Sequence, residues 1–258
     1  MSEKSELWSR LMRVYIRARM RRAFHDVLAL GLFEARATVA SEPVILALNH
    51  VAWWDALLLT VLEGELGAEG FALMDASSLR ELSFFRRLGA LSLDRAHPKK
   101  ALSDLDRAAH LLDRAGRFVA IFPRGAQRPS HFPLEFRSGI FHLQKRSQAT
   151  ILPIALRYEF LENARPSLLI SLGEPLPFEE GARAEQVVPR VEEAVARELT
   201  RIDGALESML QTPLVAPGGV DSLLYRAPRP LRAGRVPLLA RLIGTGKSDS
   251  SLPERSRS

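Results

Sequence analysis

Apolar and polar positions follow two periods along the chain. Short, nearly continuous apolar runs at residues 44–48, 71–74, 90–93, 118–122, 151–156 and 168–172 predict strands. Between them, apolar residues recur at helical spacing over 53–64, 79–88, 98–115, 138–145 and 184–210, which predicts amphipathic helices. The segment 98–115 carries both end signals, with Pro98 at its first turn and Gly116 just past its end. Strands alternating with helices argue for an α/β fold, with a mixed, mostly parallel sheet flanked by helices. An N-terminal amphipathic helix and an irregular basic C-terminal tail complete the expected architecture.

The first helix is expected over residues 7–32. Arg10, Arg13, Arg17 and Arg21 form one helical stripe, while Leu7, Trp8, Leu11, Met12, Val14, Tyr15 and Ala18 cover most of the rest. Arg19 and Arg22 interrupt the apolar side. Two readings fit this pattern: an interfacial helix with Arg among headgroups and Trp8 and Tyr15 near the acyl boundary, or a surface helix packed on its own domain. At the other end, Pro, Gly, Arg and Ser dominate beyond Gln211. One apolar patch within that stretch, residues 236–243, is either a docking segment or a locally buried turn. The expected organisation is a membrane-interacting helix over 1–33, a central domain over 34–211 and a basic tail over 212–258.

Charge is segregated along this plan. The net charge is +6, but residues 1–24 hold seven Lys/Arg against two Glu, and residues 212–258 hold eight against three acids, leaving the body between them at −4. Basic ends around a mildly acidic body suit an anionic surface such as a membrane and disfavour nucleic acid as a partner. A spanning helix is not expected. The longest stretch without a charged residue, 208–220, has thirteen residues and is broken by Pro213 and Pro217, whereas a span needs roughly 20 apolar residues. No secretory signal is expected at the N-terminus either.

The absence of cysteine excludes a disulfide framework, thiolate catalysis and Cys-ligated metals. No Gly-x-Ser-x-Gly elbow is present. The strongest chemical signal is Asn49–His50–Val51–Ala52–Trp53–Trp54–Asp55, placed where a strand ends and a helix begins. An Asp in the first helical turn can fold back onto a His five residues earlier, fix its tautomer and leave the other ring nitrogen as a general base. On the residues alone, a second reading stays open, in which Asn49 or Asp55 caps the helix and His50 is a satisfied polar residue.

Further blocks follow in order. Residues Gly89–Ala90–Leu91–Ser92–Leu93–Asp94–Arg95, Phe122–Pro123–Arg124–Gly125–Ala126–Gln127–Arg128, Phe136–Arg137–Ser138–Gly139 and Ile151–Leu152–Pro153–Ile154, taken with Asn49, His50 and Asp55, resemble the motifs of the glycerophospholipid acyltransferase family, whose best-known members acylate lysophosphatidic acid. The resemblance implies His50 as general base and Asp55 as its orienter. It implies Arg95, Pro123, Arg124, Gly125, Arg128 and Arg137 around the substrate, and Asn49, Gly89, Phe122 and Pro153 as supports. It further implies a peripheral or monotopic enzyme on the cytoplasmic face of a membrane, with no metal and no cofactor. A fatty acyl group would pass from acyl-coenzyme A or acyl carrier protein to a lyso-lipid, 1-acylglycerol-3-phosphate giving phosphatidic acid.

One departure bears on the substrate. Arg124 stands where the family has Glu, and Ala126 and Gln127 stand where it has Thr and Arg, with Arg128 one place later. Either the extra cations bind a more anionic acceptor, or the acceptor is a lipid without phosphate, such as a glycolipid or pigment glycoside. A lipid-binding protein that kept the fold and lost the chemistry is the remaining alternative.

Overall fold

The computed structural model describes residues 4–161, 163–211 and 220–223. Strand β2 (Val44–Leu48) shows how the core is built. Every side chain in it is buried; Val44, Leu46 and Leu48 join one apolar cluster, while Ile45 and Ala47 join another. Side chains alternate across a strand, so the two clusters lie on opposite faces of the sheet. That is why the strand sequence reads as a continuous apolar run.

Around β2 the elements are α1 (Glu6–Ala23), β1 (Val27–Leu30), α2 (Leu32–Ser41), α3 (Trp54–Leu66), β3 (Glu69–Asp75), α4 (Ala76–Glu81), a 3-10 turn (Ser83–Leu88), β4 (Ala90–Leu93), α5 (Pro98–Ala109), β5 (Arg117–Ile121), α6 (Gly139–Ser147), β6 (Thr150–Glu159), β7 (Ser167–Leu172), α7 (Ala184–Gln211) and β8 (Val220–Ser222). The sheet order is β4-β3-β5-β2-β6-β7-β1-β8. Strands β2 to β6 run parallel, β7 turns back antiparallel to β6, β1 pairs parallel with β7, and β8 closes the edge antiparallel to β1. Buried residues of α1, α2 and α3 pack on one face; those of α5, α6 and α7 pack on the other. The expected fold class, a mostly parallel mixed sheet between helices, is the one observed.

Three local expectations are corrected. The first helix ends at Ala23 rather than near residue 32. Residues 27–30 instead form a strand, because pairing with β7 buries all four side chains, and Asp26 accepts hydrogen bonds from the Val27 N–H (2.8 Å) and the Ser222 hydroxyl (2.7 Å). Residues 79–88 divide into the end of α4 and the 3-10 turn, with Leu82 at φ −109°, ψ 52° breaking the helix. Finally, α5 stops at Ala109, where the N–H groups of Leu111 and Leu112 turn to carbonyls three residues back.

The arginine stripe of α1 also divides. Arg13 donates to the Thr60 carbonyl (3.1 Å) and lies 3.5 Å from Glu63, and Arg17 pairs with Glu65, so both face α3 rather than solvent. The exposed ridge is apolar instead: Leu7, Leu11, Val14 and Tyr15, at positions i, i+4, i+7 and i+8, are all more than half exposed. Arg10, Arg19, Arg21 and Arg22 flank it, also exposed. No helix among the described residues is long and apolar enough to cross a membrane. The apolar patch at 236–243 lies outside the described residues.

Candidate active site

The parallel strands β2, β3, β4 and β5 all end at one edge of the sheet. Their register aligns Ala47 with Ile121 and Asp75 with Leu93. Residues just past these ends therefore meet in a crevice at the carboxyl edge, the place where parallel α/β sheets bind ligands. His50 follows β2, Phe122 to Arg128 follow β5, Asp75 ends β3, and Arg95 follows β4.

Asn49 acts as a piece of backbone. Its side-chain amide donates to the Leu156 carbonyl (2.9 Å), and its Oδ1 accepts from the Leu156 N–H (2.7 Å). This carries the β2–β6 pairing past Leu48 and fixes where His50 leaves the sheet. Asp55, in the first turn of α3, is fully buried. Its Oδ2 accepts from the backbone N–H of Val51 (2.7 Å) and Ala52 (2.9 Å) and lies 2.7 Å from His50 Nδ1. The same carboxylate that closes the turn thus orients the ring; the N–H groups it accepts from precede α3, so neither it nor Asn49 caps the helix. The Phe122 ring stacks on His50 (centroids 4.4 Å apart), and the His50 carbonyl accepts from the Arg128 N–H (2.9 Å). With Nδ1 donating to Asp55, Nε2 is the basic nitrogen, and no partner for it occurs among the described residues.

His50 opens onto a cavity of about 740 Å³. Arg95, Arg137 and His142 line it with charge and polarity; Leu59, Phe71, Phe85, Leu88 and Phe118 line it with buried apolar surface. Arg95 Nε donates to Asp75 Oδ2 (3.0 Å) and Nη1 donates to the Gly125 carbonyl (2.5 Å). The Ser77 hydroxyl, together with the Ser77 N–H and Arg95, holds the Asp75 carboxyl below its ordinary value against the opposing effect of burial. The neighbouring Asp94 turns away, to His97 and Lys100 (3.1 Å each). Gly125 sits at φ +73°, and a Cβ there would collide with Arg95 Nη1. Gly89 is likewise at positive φ (+96°), with a Cβ position 2.7 Å from the Gly70 carbonyl, and it shapes the turn into β4.

The structure separates the predicted substrate-side residues. Arg95, Pro123, Gly125 and Arg137 line the cavity, as does Phe122. Arg124 and Arg128 do not. Arg124 bonds to the Pro133 carbonyl and to Glu135 Oε2 (3.1 Å), so the reversed charge is consumed in holding the loop that follows. Arg128 is exposed and meets the site through its backbone. Pro153 sits beside Ala47 in β6, and its carbonyl accepts from the Gly173 N–H (2.9 Å). Two site residues carry no sequence signal. Asp75 needs its partner Arg95 to be recognised, and Tyr158, on β6, donates to Asp55 Oδ1 (2.5 Å) across 103 positions of sequence.

Residues 32–157 match the family model described as Acyltransferase. Among solved structures, the crystal structure of the 1-acyl-sn-glycerophosphate (LPA) acyltransferase PlsC from Thermotoga maritima superposes with a TM-score of 0.57 over 76% of this chain and 79% of that one, at 15% sequence identity. At that identity the likeness speaks for the fold. No curated protein matches the sequence significantly.

Proposed function

We propose, for a chain that belongs to the acyltransferase family through residues 32–157, the transfer of a fatty acyl group from an acyl thioester to the hydroxyl of a lyso-lipid held at a membrane surface. The observation that carries the proposal is the His50–Asp55 pair at 2.7 Å, opening onto a cavity with an apolar interior and with Arg95 and Arg137 in its lining.

The steps follow from the geometry. His50 Nε2 takes the proton of the acceptor hydroxyl as its oxygen attacks the thioester carbonyl. Asp55 stabilises the resulting imidazolium without itself taking the proton. The C–O bond forms, the C–S bond breaks, and the imidazolium returns its proton to the leaving thiolate. Ala126 and Gln127 line the cavity, and their N–H groups, which have no hydrogen-bond partner among the described residues, are the donors we assign to the oxyanion. The acyl chain suits the apolar interior.

Arg95 and Arg137 favour an anionic acceptor headgroup, so 1-acylglycerol-3-phosphate, yielding phosphatidic acid, is the acceptor we assign. Arg95 keeps donors to spare after its bonds to Asp75 and Gly125. The donor is an anionic thioester, acyl-coenzyme A or acyl carrier protein, drawn by the same positive rim. The exposed ridge of Leu7, Leu11, Val14 and Tyr15 with its flanking arginines fits an anionic bilayer, which supports a peripheral enzyme on the cytoplasmic leaflet.

The test is an acceptor panel. Purified protein is given acyl-coenzyme A or acyl carrier protein thioesters with lysophosphatidic acid, lyso-glycolipid or no acceptor. Thioester loss that depends on lysophosphatidic acid supports the assignment. Dependence on the glycolipid alone moves the acceptor, and loss without acceptor would make the protein a thioester hydrolase.

A further inference from the structure

We propose that Tyr158 is a positioning residue for the acyl transfer, holding one oxygen of Asp55 so that the other stays directed at His50. The inference rests on the proposed role of His50 and extends it to a residue outside every motif block.

Asp55 is fully buried, and among the described residues no Arg or Lys lies within ion-pair distance of it. A buried carboxylate without a cation stays ionised only if hydrogen bonds replace the lost water. Oδ2 has three donors: the N–H groups of Val51 and Ala52, and His50 Nδ1. Oδ1 has one among the described residues, the Tyr158 hydroxyl at 2.5 Å. Tyr158 is therefore what fixes the carboxylate plane about its own bond.

The tyrosine is itself held in place. Its ring packs against Phe24 (centroids 5.8 Å), and Phe24 meets Trp54, the first residue of α3, edge to face at 5.2 Å. Burial first, then the Asp55 charge and hydrogen bond, push the phenol far above its ordinary value, so it is always protonated and always a donor. Tyr158 is absent from the cavity wall. It acts through Asp55 and touches no substrate. The groups facing His50 are Asp55 from α3 and Phe122 just past β5, with Tyr158 of β6 behind the carboxylate.

Tyr158→Phe removes the donor and keeps the ring. The carboxylate then carries more undivided charge toward His50, which favours the imidazolium. The expected result is a kcat lowered about 10-fold, in the range found for groups behind a directly acting ligand, with KM for donor and acceptor unchanged. The acid limb of kcat/KM should move to higher pH, and an NMR titration of the His50 ring should move in the same direction. Unaltered folding is checked by the thermal midpoint. A wild-type kcat overturns the proposal, and so does a lowered kcat with an unmoved His50 titration, which would mean a structural role only. If His50→Ala keeps full activity, the base assignment has failed instead. If that variant is dead and Tyr158→Phe behaves as wild type, the base stands and the role of Tyr158 falls.

Discussion

Arg124 Nη2 lies 3.1 Å from Glu135 Oε2, and the pair ties the loop after β5 to the segment leading into α6. The guanidinium is largely covered while the carboxylate is exposed, and neither side chain lines the cavity. The reversed charge at this position in the third motif block thus has a local structural role. Arg124→Gln should cost about 1 kcal/mol of stability through the lost hydrogen bonds, measured by urea denaturation. The acceptor KM should stay within about twofold of wild type, because the interaction lost is not made to substrate. A tenfold rise in that KM would return Arg124 to the substrate side.

Arg95 is predicted to act on binding. Arg95→Ala should raise the acceptor KM by about tenfold or more, the scale of a lost charge-assisted contact, with a smaller effect on kcat. Equal sensitivity toward a neutral acceptor would contradict this.

Gly125→Ala should reproduce the Arg95 defect through direct contact with the guanidinium. An added Cβ collides with Arg95 Nη1, and the φ of +73° disfavours any side chain. Strain of this kind costs roughly 1–3 kcal/mol, so the variant should show a lower thermal midpoint together with a raised acceptor KM. A rise in KM without destabilisation would point to steric contact with the ligand.

Asp75 carries a pH signature. Its folded carboxyl lies below its ordinary value, which in the unfolded chain is about 3.9. Its contribution to stability is therefore fully present above that unfolded value and is lost as pH falls through the folded one. The stability difference between wild type and Asp75→Asn should be constant from about pH 7 to 5 and should shrink below about pH 4. Denaturation midpoints at several pH values would show it; a difference that grows on acidification would reverse the assignment.

The exposed ridge of α1 makes a separate prediction. Leu11→Asp and Val14→Asp replace exposed apolar groups, so folding should be little affected. Co-sedimentation with anionic vesicles should fall several-fold, since each change removes apolar burial and adds like charge. Unchanged sedimentation would leave the ridge without its bilayer.

The sequence disclosed most of the central sheet because strands β2 and β5 and most of β6 are buried on both faces, and burial writes itself as apolar runs. It misplaced the end of α1 because residues 27–30 satisfy a helical spacing equally well; only pairing with β7 decides for a strand. It left Arg13 and Arg17 in one stripe with Arg10 and Arg21 because their partners, Glu63 and Glu65, lie in another helix. At the site, His50 and Asp55 were legible because five residues separate them across a strand-to-helix turn. Tyr158 was not, since its link to Asp55 spans 103 positions and appears only when β6 is laid beside β2. The short strand β8 was hidden in the same way, inside a stretch whose composition suggested no regular structure.

The central claim is that the His50 imidazole removes the acceptor proton. It is tested most directly by acyl transfer from a radiolabelled acyl thioester to lysophosphatidic acid, comparing wild type with His50→Ala. Transfer should fall by 10²-fold to 10⁴-fold, the usual contribution of a general base, with thermal midpoint and vesicle binding unchanged. Wild-type transfer by a folded His50→Ala protein would contradict the account.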